Sequence, residues 1–91
     1  MTQKIVKKKI TFKYHAPEAK AVAVVGTFNG WNAEANSLKK DTKENWSTVV
    51  SLFPGSYEYR FIVDGRWKDD PSCELRHLNV YGGYNCVLYV F

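Results

Sequence analysis

The sequence predicts an all-β fold, an antiparallel β-sandwich of about seven short strands. Three observations predict it: apolar and polar residues alternate in several short runs, turn-forming residues separate these runs, and no long helical pattern occurs. Two sheets packed face to face would bury such strands, and an immunoglobulin-like arrangement suits this number of strands. At 91 residues, the chain is expected to form one domain over residues 1–91.

Strands are predicted where residues alternate or where short β-branched runs lie between turn signals. These runs are residues 10–14, 20–25, 46–52, 57–63, 66–68 and 85–91. The turns and loops between them are residues 16–19, 27–38, 39–45, 53–56, 64–65 and 69–83. The connection at 39–45 could pair as a charged hairpin, and residues 33–35 could form one helical turn.

The first predicted strand lies in the most basic part of a chain whose formal net charge is +4. Ile10, Phe12 and Tyr14 alternate with Lys9 and Lys13, which places the lysines on the outer face. Further lysines precede this strand, at Lys4, Lys7 and Lys8. They could contact an anionic surface or nucleic acid. We favour lysines that protect an edge strand from pairing with other sheets, and we expect no nucleic-acid partner.

The later strands show the clearest alternation. Trp46 begins one of them, on the side of its other apolar residues, and is therefore predicted to lie in the core. In the next strand, Tyr59 and Phe61 face one way and Arg60 faces the other. The dipeptide Asp64-Gly65 that follows is a strong signal for a tight hairpin.

The two cysteines, Cys73 and Cys86, could join the C-terminal loop to the last strand or could remain free. No secretory signal is visible and no apolar run reaches the length of a membrane span. We therefore favour free thiols in a reducing, cytoplasmic compartment and expect no membrane partner. The cysteine spacing matches no zinc motif, and only His15 and His77 could assist, so no metal or other cofactor is expected.

Sequence patterns typical of catalysis do not occur in this chain. There is no glycine-rich phosphate loop, serine elbow or histidine-led nucleophile pattern. Carboxylates near turns could form an acid–base pair, and the candidates are Asp64, Asp69, Asp70 and Glu74. However, turn geometry explains Asp64, and an extended conformation before Pro71 explains Asp70. We predict that the chain is not an enzyme.

Two tryptophans stand on turns instead of on alternating strand faces. Trp31 lies in a polar loop and Trp67 follows the predicted hairpin turn. Exposed rings favour a flat ligand with apolar faces and a polar rim, and a sugar is such a ligand. Arg60 would supply hydrogen-bond donors beside the rings, and Asn85 would supply a donor and an acceptor. The alternative without a ligand is that both tryptophans pack in the core, that Arg60 is an ordinary solvated charge and that Asn85 only starts a strand.

Several segments, in order, resemble one known family. They are Gly26-Thr27-Phe28-Asn29-Gly30-Trp31, Pro54-Gly55-Ser56-Tyr57-Glu58-Tyr59-Arg60-Phe61-Ile62-Val63-Asp64-Gly65, Trp67, Asp70-Pro71 and Gly82-Gly83-Tyr84-Asn85. The set is similar to family-48 carbohydrate-binding modules, which include the glycogen-binding domain of AMP-activated protein kinase β-subunits and N-terminal modules of isoamylases and branching enzymes. The resemblance covers residues 9–91. It implies an immunoglobulin-like sandwich that binds α-1,4-linked glucans such as glycogen, starch and maltooligosaccharides.

The resemblance also implies roles for five residues. Trp31 and Trp67 would stack on glucose rings, and Arg60 stands where kinase-type modules usually have lysine. Asn85 matches an asparagine that binds sugar near the last strand. Tyr81 is the nearest equivalent of a leucine that projects into the curve of the glucan.

The expected partner is therefore an α-glucan polysaccharide or oligosaccharide, with a catalytic or kinase protein as a further partner. In branching and debranching enzymes, modules similar to this one often pack on the catalytic domain. The alternative function is thus a structural or protein-interaction sandwich that binds no sugar. The combination of Trp31, Trp67 and Arg60 favours sugar binding, because an interaction domain would not need it.

Overall fold

The computed structural model describes residues 6–91, so Lys4 of the basic run lies outside the described residues. The strands in this part of the chain are β1 (Lys8–His15), β2 (Val22–Gly26), β3 (Lys39–Lys40), β4 (Asn45–Leu52), β5 (Gly55–Val63), β6 (Arg66–Lys68), β7 (Arg76–Leu78) and β8 (Tyr84–Val90). One short 3₁₀ turn, Thr27–Asn29, follows β2. The all-β prediction is confirmed, with one strand, β7, inside a segment predicted to be an irregular loop.

The strands form two antiparallel sheets. β1, β4 and β3 form the smaller one, in that order, and β2, β5, β8 and β7 form the larger one, in which β6 also pairs with β5. β1 is an edge strand, and its lysines Lys9 and Lys13 are exposed while Phe12 is buried. The predicted edge strand with outward-facing lysines is therefore confirmed, and the protective role of these lysines stays a prediction.

The core lies between the inner faces of the two sheets. Phe12 from the smaller sheet meets Tyr59 from the larger one edge to face, with ring centroids 5.0 Å apart. Phe61 is fully buried, and Trp46 is buried with its indole N–H donating to the carbonyl of Ala16 at 2.9 Å. Trp46 is thus a core residue, as predicted. Because Tyr59 and Phe61 point inward, the residues that alternate with them point to the outer face of the larger sheet.

A buried carboxylate fixes the chain after β6. Asp70 accepts a 2.5 Å hydrogen bond from the Tyr59 hydroxyl and two more from the backbone N–H and hydroxyl of Ser72. Burial, together with the adjacent carboxylate, raises the pKa of Tyr59 above its usual range. The interpretation of Asp70 as merely an extended residue before a proline was incomplete, because its side chain anchors this loop to the core.

Cys73 and Cys86 form a disulfide, with their Cα atoms 6.0 Å apart, so the prediction of free thiols was wrong. The pairing of β7 with β8 brings the two residues together. Arg76 lies opposite Cys86, and the N–H of Val87 donates to the carbonyl of Leu75 at 2.8 Å. The expected reducing compartment favoured free thiols, and no local sequence pattern predicts the pairing of β7 with β8.

The Asp64-Gly65 hairpin is present as predicted and joins β5 to β6. Both residues have left-handed backbone conformations, with φ of 49° and 80°, as a type I′ turn requires. The Asp64 carboxylate accepts hydrogen bonds from the backbone N–H groups of Lys20 and Ala21, and these bonds lower its pKa. The turn therefore also ties the hairpin to the chain that enters β2.

Candidate functional site

An open groove of about 920 Å³ crosses the outer face of the larger sheet. The five residues predicted to bind a ligand, Trp31, Arg60, Trp67, Tyr81 and Asn85, all line it. They come from the loop after β2, from β5, β6 and β8, and from the loop between β7 and β8. The structure thus brings these five residues together from distant parts of the sequence.

The two tryptophans form one wall of the groove. Their ring centroids are 6.2 Å apart and their planes are inclined by 37°. Trp67 projects from β6 and remains 48% exposed. Trp31 has a left-handed conformation, with φ of 60°, directly after Gly30 with φ of 65°. A large residue rarely adopts this conformation, and here it directs the indole toward Trp67.

Hydrogen bonds around Asn29 hold the loop that carries Trp31. The Asn29 side chain accepts from the N–H of Gly26 at 3.0 Å and donates to the carbonyl of Val24 and to the Asn36 amide oxygen. The N–H of Trp31 donates to the carbonyl of Gly26 at 2.9 Å. A Cβ at Gly26 would collide with β5, so glycine is needed there for close approach of the chains.

Arg60 lies at the base of the tryptophan wall and is only 19% exposed. Its guanidinium donates to Asp69 at 2.8 Å, and its central carbon lies 5.7 Å from the centre of the Trp67 ring. Val25, its cross-strand neighbour on β2, is fully buried. Arg60 is therefore held in place by an ion pair and an aromatic ring, and is not the freely solvated charge of the alternative without a ligand.

A chain of polar side chains crosses the floor of the groove. Asn79 donates to the Asn85 amide oxygen at 3.1 Å, and the Asn85 amide nitrogen donates to Glu58 at 3.3 Å. The same Glu58 oxygen lies 3.2 Å from Nδ1 of His77. Asn85 is therefore oriented from both sides.

The loop between β7 and β8 forms the opposite rim of the groove. The Asn79 side-chain oxygen accepts from the backbone N–H groups of Tyr81 and Gly83, at 2.9 and 3.0 Å, and this closes the loop. Val80 and Tyr81 at its tip are each 92% exposed. Tyr81 thus stands free above the groove, on a backbone that Asn79 shapes.

Glu58, His77 and Asn79 line the groove but were not among the predicted site residues. Glu58 was within reach of the sequence argument, because it lies two residues before Arg60 on the same strand face. His77 and Asn79 lie in a segment predicted to be an irregular loop. Nothing in the local pattern indicates that they face the sheet.

Among residues 6–91, no cluster of three or more His, Cys, Asp or Glu side chains is arranged to hold a metal ion. In the same range, no helix has the length and apolar character that crossing a bilayer would require.

A small β-sandwich that displays paired tryptophans beside guanidinium and amide groups on an open face has the layout of a carbohydrate-binding module. Residues 8–91 match the model of the family described as the glycogen recognition site of AMP-activated protein kinase. The chain belongs to this family. The resemblance seen in the sequence is thereby confirmed.

Curated relatives include plant and animal proteins. The chain is 42% identical over 66 residues to the chloroplastic protein PTST homolog 2 of Arabidopsis thaliana, a match that covers 72% of this chain and 12% of that protein. It is 38% identical over 53 residues to the chloroplastic protein FLOURY ENDOSPERM 6 of Oryza sativa subsp. japonica, and this match covers 58% of this chain and 10% of that protein. It is 34% identical over 53 residues to 5'-AMP-activated protein kinase subunit beta-2 of Homo sapiens, and this match covers 58% of this chain and 19% of that protein. The chain thus spans a tenth to a fifth of these relatives' lengths.

Proposed function

We propose that this chain binds α-1,4-linked glucan, as glycogen, starch or maltooligosaccharide, without transforming it. The observation that carries the proposal is the inclined pair Trp31 and Trp67 beside Arg60. An α-1,4-linked chain is curved, and its sugar rings have apolar C–H faces. Two rings inclined by 37° offer two separate stacking faces, one for each of two sugar rings along such a curved chain.

The polar groups of the groove retain hydrogen-bonding capacity for sugar hydroxyls. An arginine has five N–H donors, and Arg60 uses one on Asp69. The Asn85 amide has two N–H donors and two acceptor positions, and its contacts with Glu58 and Asn79 use one of each. Both side chains can therefore bind hydroxyl groups without giving up the contacts that orient them.

The single carboxylate of the groove supports a non-catalytic role. Glycoside hydrolysis generally uses two carboxyl groups, one on each side of the bond. Among the described residues that line the groove, Glu58 is the one carboxylate, and it is engaged by Asn85 and His77. Incubation with maltoheptaose should therefore release no reducing sugar, and release that Glu58→Gln abolishes would contradict this part of the proposal.

Tryptophan fluorescence tests the binding itself. Addition of maltoheptaose or β-cyclodextrin should change the emission of Trp31 and Trp67, and an amylose column should retain the protein. Trp31→Ala and Trp67→Ala should each lose retention. Phe53→Ala is the matched control, because Phe53 is also 48% exposed but lies outside the groove. If the unmodified chain shows no spectral change and no retention, it does not bind glucan.

A catalytic or kinase protein partner is a further part of the proposal. Kinase β subunits and chloroplastic proteins are among the relatives, which supports a module that brings a catalytic or kinase protein to glucan. A cytoplasmic location stays a prediction, and the disulfide argues against it, since disulfides are rare in reducing compartments. Thiol trapping of the protein in its own cells, followed by fractionation, would test the disulfide and the compartment.

A further inference from the structure

We propose that the bound glucan continues beyond the tryptophan groove onto a second subsite on the same sheet face, where Tyr89 contacts it. This inference rests on the proposed glucan binding and extends it to a longer ligand. The second subsite is a shallow depression of about 280 Å³. Two residues, Glu58 and His77, line both it and the main groove, so the two surfaces are continuous.

Strand register places the second subsite along the line of β5. Arg60, Glu58 and Ser56 alternate on β5 and therefore share its outer face. Val87 lies opposite Glu58, and Tyr89 lies opposite Ser56, so both β8 residues share this face. The four residue-to-residue steps from Arg60 to Ser56 span about 13 Å along the strand. A ligand seated on the tryptophans and extended along β5 would therefore reach Tyr89.

The second subsite combines the same kinds of groups as the groove. Tyr89 is 53% exposed and offers an aromatic surface, and Leu75 adds apolar area beside it. The Ser56 hydroxyl adds a hydrogen-bond donor and acceptor at its edge. Sugars present apolar faces and hydroxyl rims, so they match such a surface.

The charges of the subsite favour a neutral ligand. Arg76 lies opposite Cys86 and so does not share this face, which leaves Glu58 as the one formally charged side chain on this face among the residues that line the subsite. His77, the remaining titratable group in the lining apart from Tyr89, lies 3.2 Å from Glu58. A phosphorylated or strongly acidic ligand would gain little here, whereas an uncharged polyhydroxy chain would lose nothing.

Affinity as a function of ligand length tests the proposal. Calorimetry would measure the Kd of maltotriose, maltodecaose and β-cyclodextrin for three proteins: the unmodified chain, Tyr89→Ala and the control Phe53→Ala. Loss of one aromatic contact should weaken maltodecaose binding roughly three- to tenfold. Maltotriose fits within the tryptophan groove and β-cyclodextrin cannot extend along the strand, so both should bind unchanged. Tyr89→Thr keeps the strand propensity and serves if the alanine variant does not fold.

The outcomes separate this subsite from the proposed function. Unchanged maltodecaose affinity in Tyr89→Ala, or an equal loss for all three ligands, would overturn the subsite. If the unmodified chain binds the ligands and Trp31→Ala, measured as a fourth protein, binds none of them, the proposed function stands even when the subsite fails. If the unmodified chain binds none of the three ligands, the proposed function fails and the subsite fails with it.

Discussion

Replacing Trp67 with alanine should weaken glucan binding far more than it weakens the fold. An aromatic side chain covers about 150–250 Å² when fully buried, so a ring that is 48% exposed offers a ligand roughly 70–120 Å². At about 25 cal/mol per Å², that area is worth roughly 2–3 kcal/mol if it is wholly covered. We therefore expect a loss of about 1–3 kcal/mol, or roughly five- to 150-fold in Kd.

Calorimetry with maltoheptaose measures this loss, and thermal unfolding provides the comparison. Trp67 contacts Arg60 and Trp31 at the surface, so its removal should cost less than about 1.5 kcal/mol of stability. Trp46→Ala is the matched control, because Trp46 is 8% exposed and lies in the core. It should cost about 3–5 kcal/mol of stability. Equal losses of Tm in the two variants, or an unchanged Kd in Trp67→Ala, would refute this assignment of faces.

Three other substitutions test separate contacts. Arg60→Ala should weaken maltoheptaose binding by about 1–3 kcal/mol, and Arg60→Lys should weaken it by less. Because the ligand is neutral, the affinity measured by calorimetry should depend little on salt. Binding that moderate salt abolishes would contradict this. The fold raises the pKa of Tyr59. The contribution of its neutral hydroxyl to the free energy of unfolding is therefore complete below about pH 10 and is lost as the pH rises further. Tyr59→Phe removes the hydrogen bond to Asp70 and should lower the free energy of unfolding by about 1.5–3 kcal/mol. Urea unfolding at increasing pH should then show a smaller loss of stability above about pH 10 than in the unmodified chain. An equally steep loss of stability would contradict this. Asn79→Asp keeps the loop acceptor but removes the donor to Asn85, so affinity should fall by about 1 kcal/mol at nearly unchanged Tm; a fall in Tm without a loss of affinity would argue against that role.

Alternation along strands allowed much of the fold to be predicted, and it placed Arg60 on the face that carries the groove. The period of two in β5 separated Tyr59 and Phe61 from Arg60, and it assigned the core side of β4 to Trp46. Asp64-Gly65 located a hairpin because few other sequences tolerate two consecutive left-handed residues. These features depend on local rules that hold whatever the rest of the chain does.

The remaining features depend on contacts between distant segments. β7 is three residues long, has no alternation of its own, and exists because β8 lies beside it. The same pairing joins Cys73 to Cys86, which spacing along the chain could not indicate. The contact of Asp70 with Tyr59 likewise forms only after the segment following β6 has folded back over the sheet. Local sequence patterns do not predict contacts between residues that are far apart in the chain.

The disulfide makes one rim of the groove a covalently closed ring. The ring runs from Cys73 to Cys86 and contains β7 together with the exposed tip at Val80 and Tyr81. A protease that cut the tip, where exposed loops are most easily cleaved, would leave both new ends attached through the two sulfur atoms and through the β7–β8 pairing. The cleaved chain would migrate as one molecule until a dithiol was added.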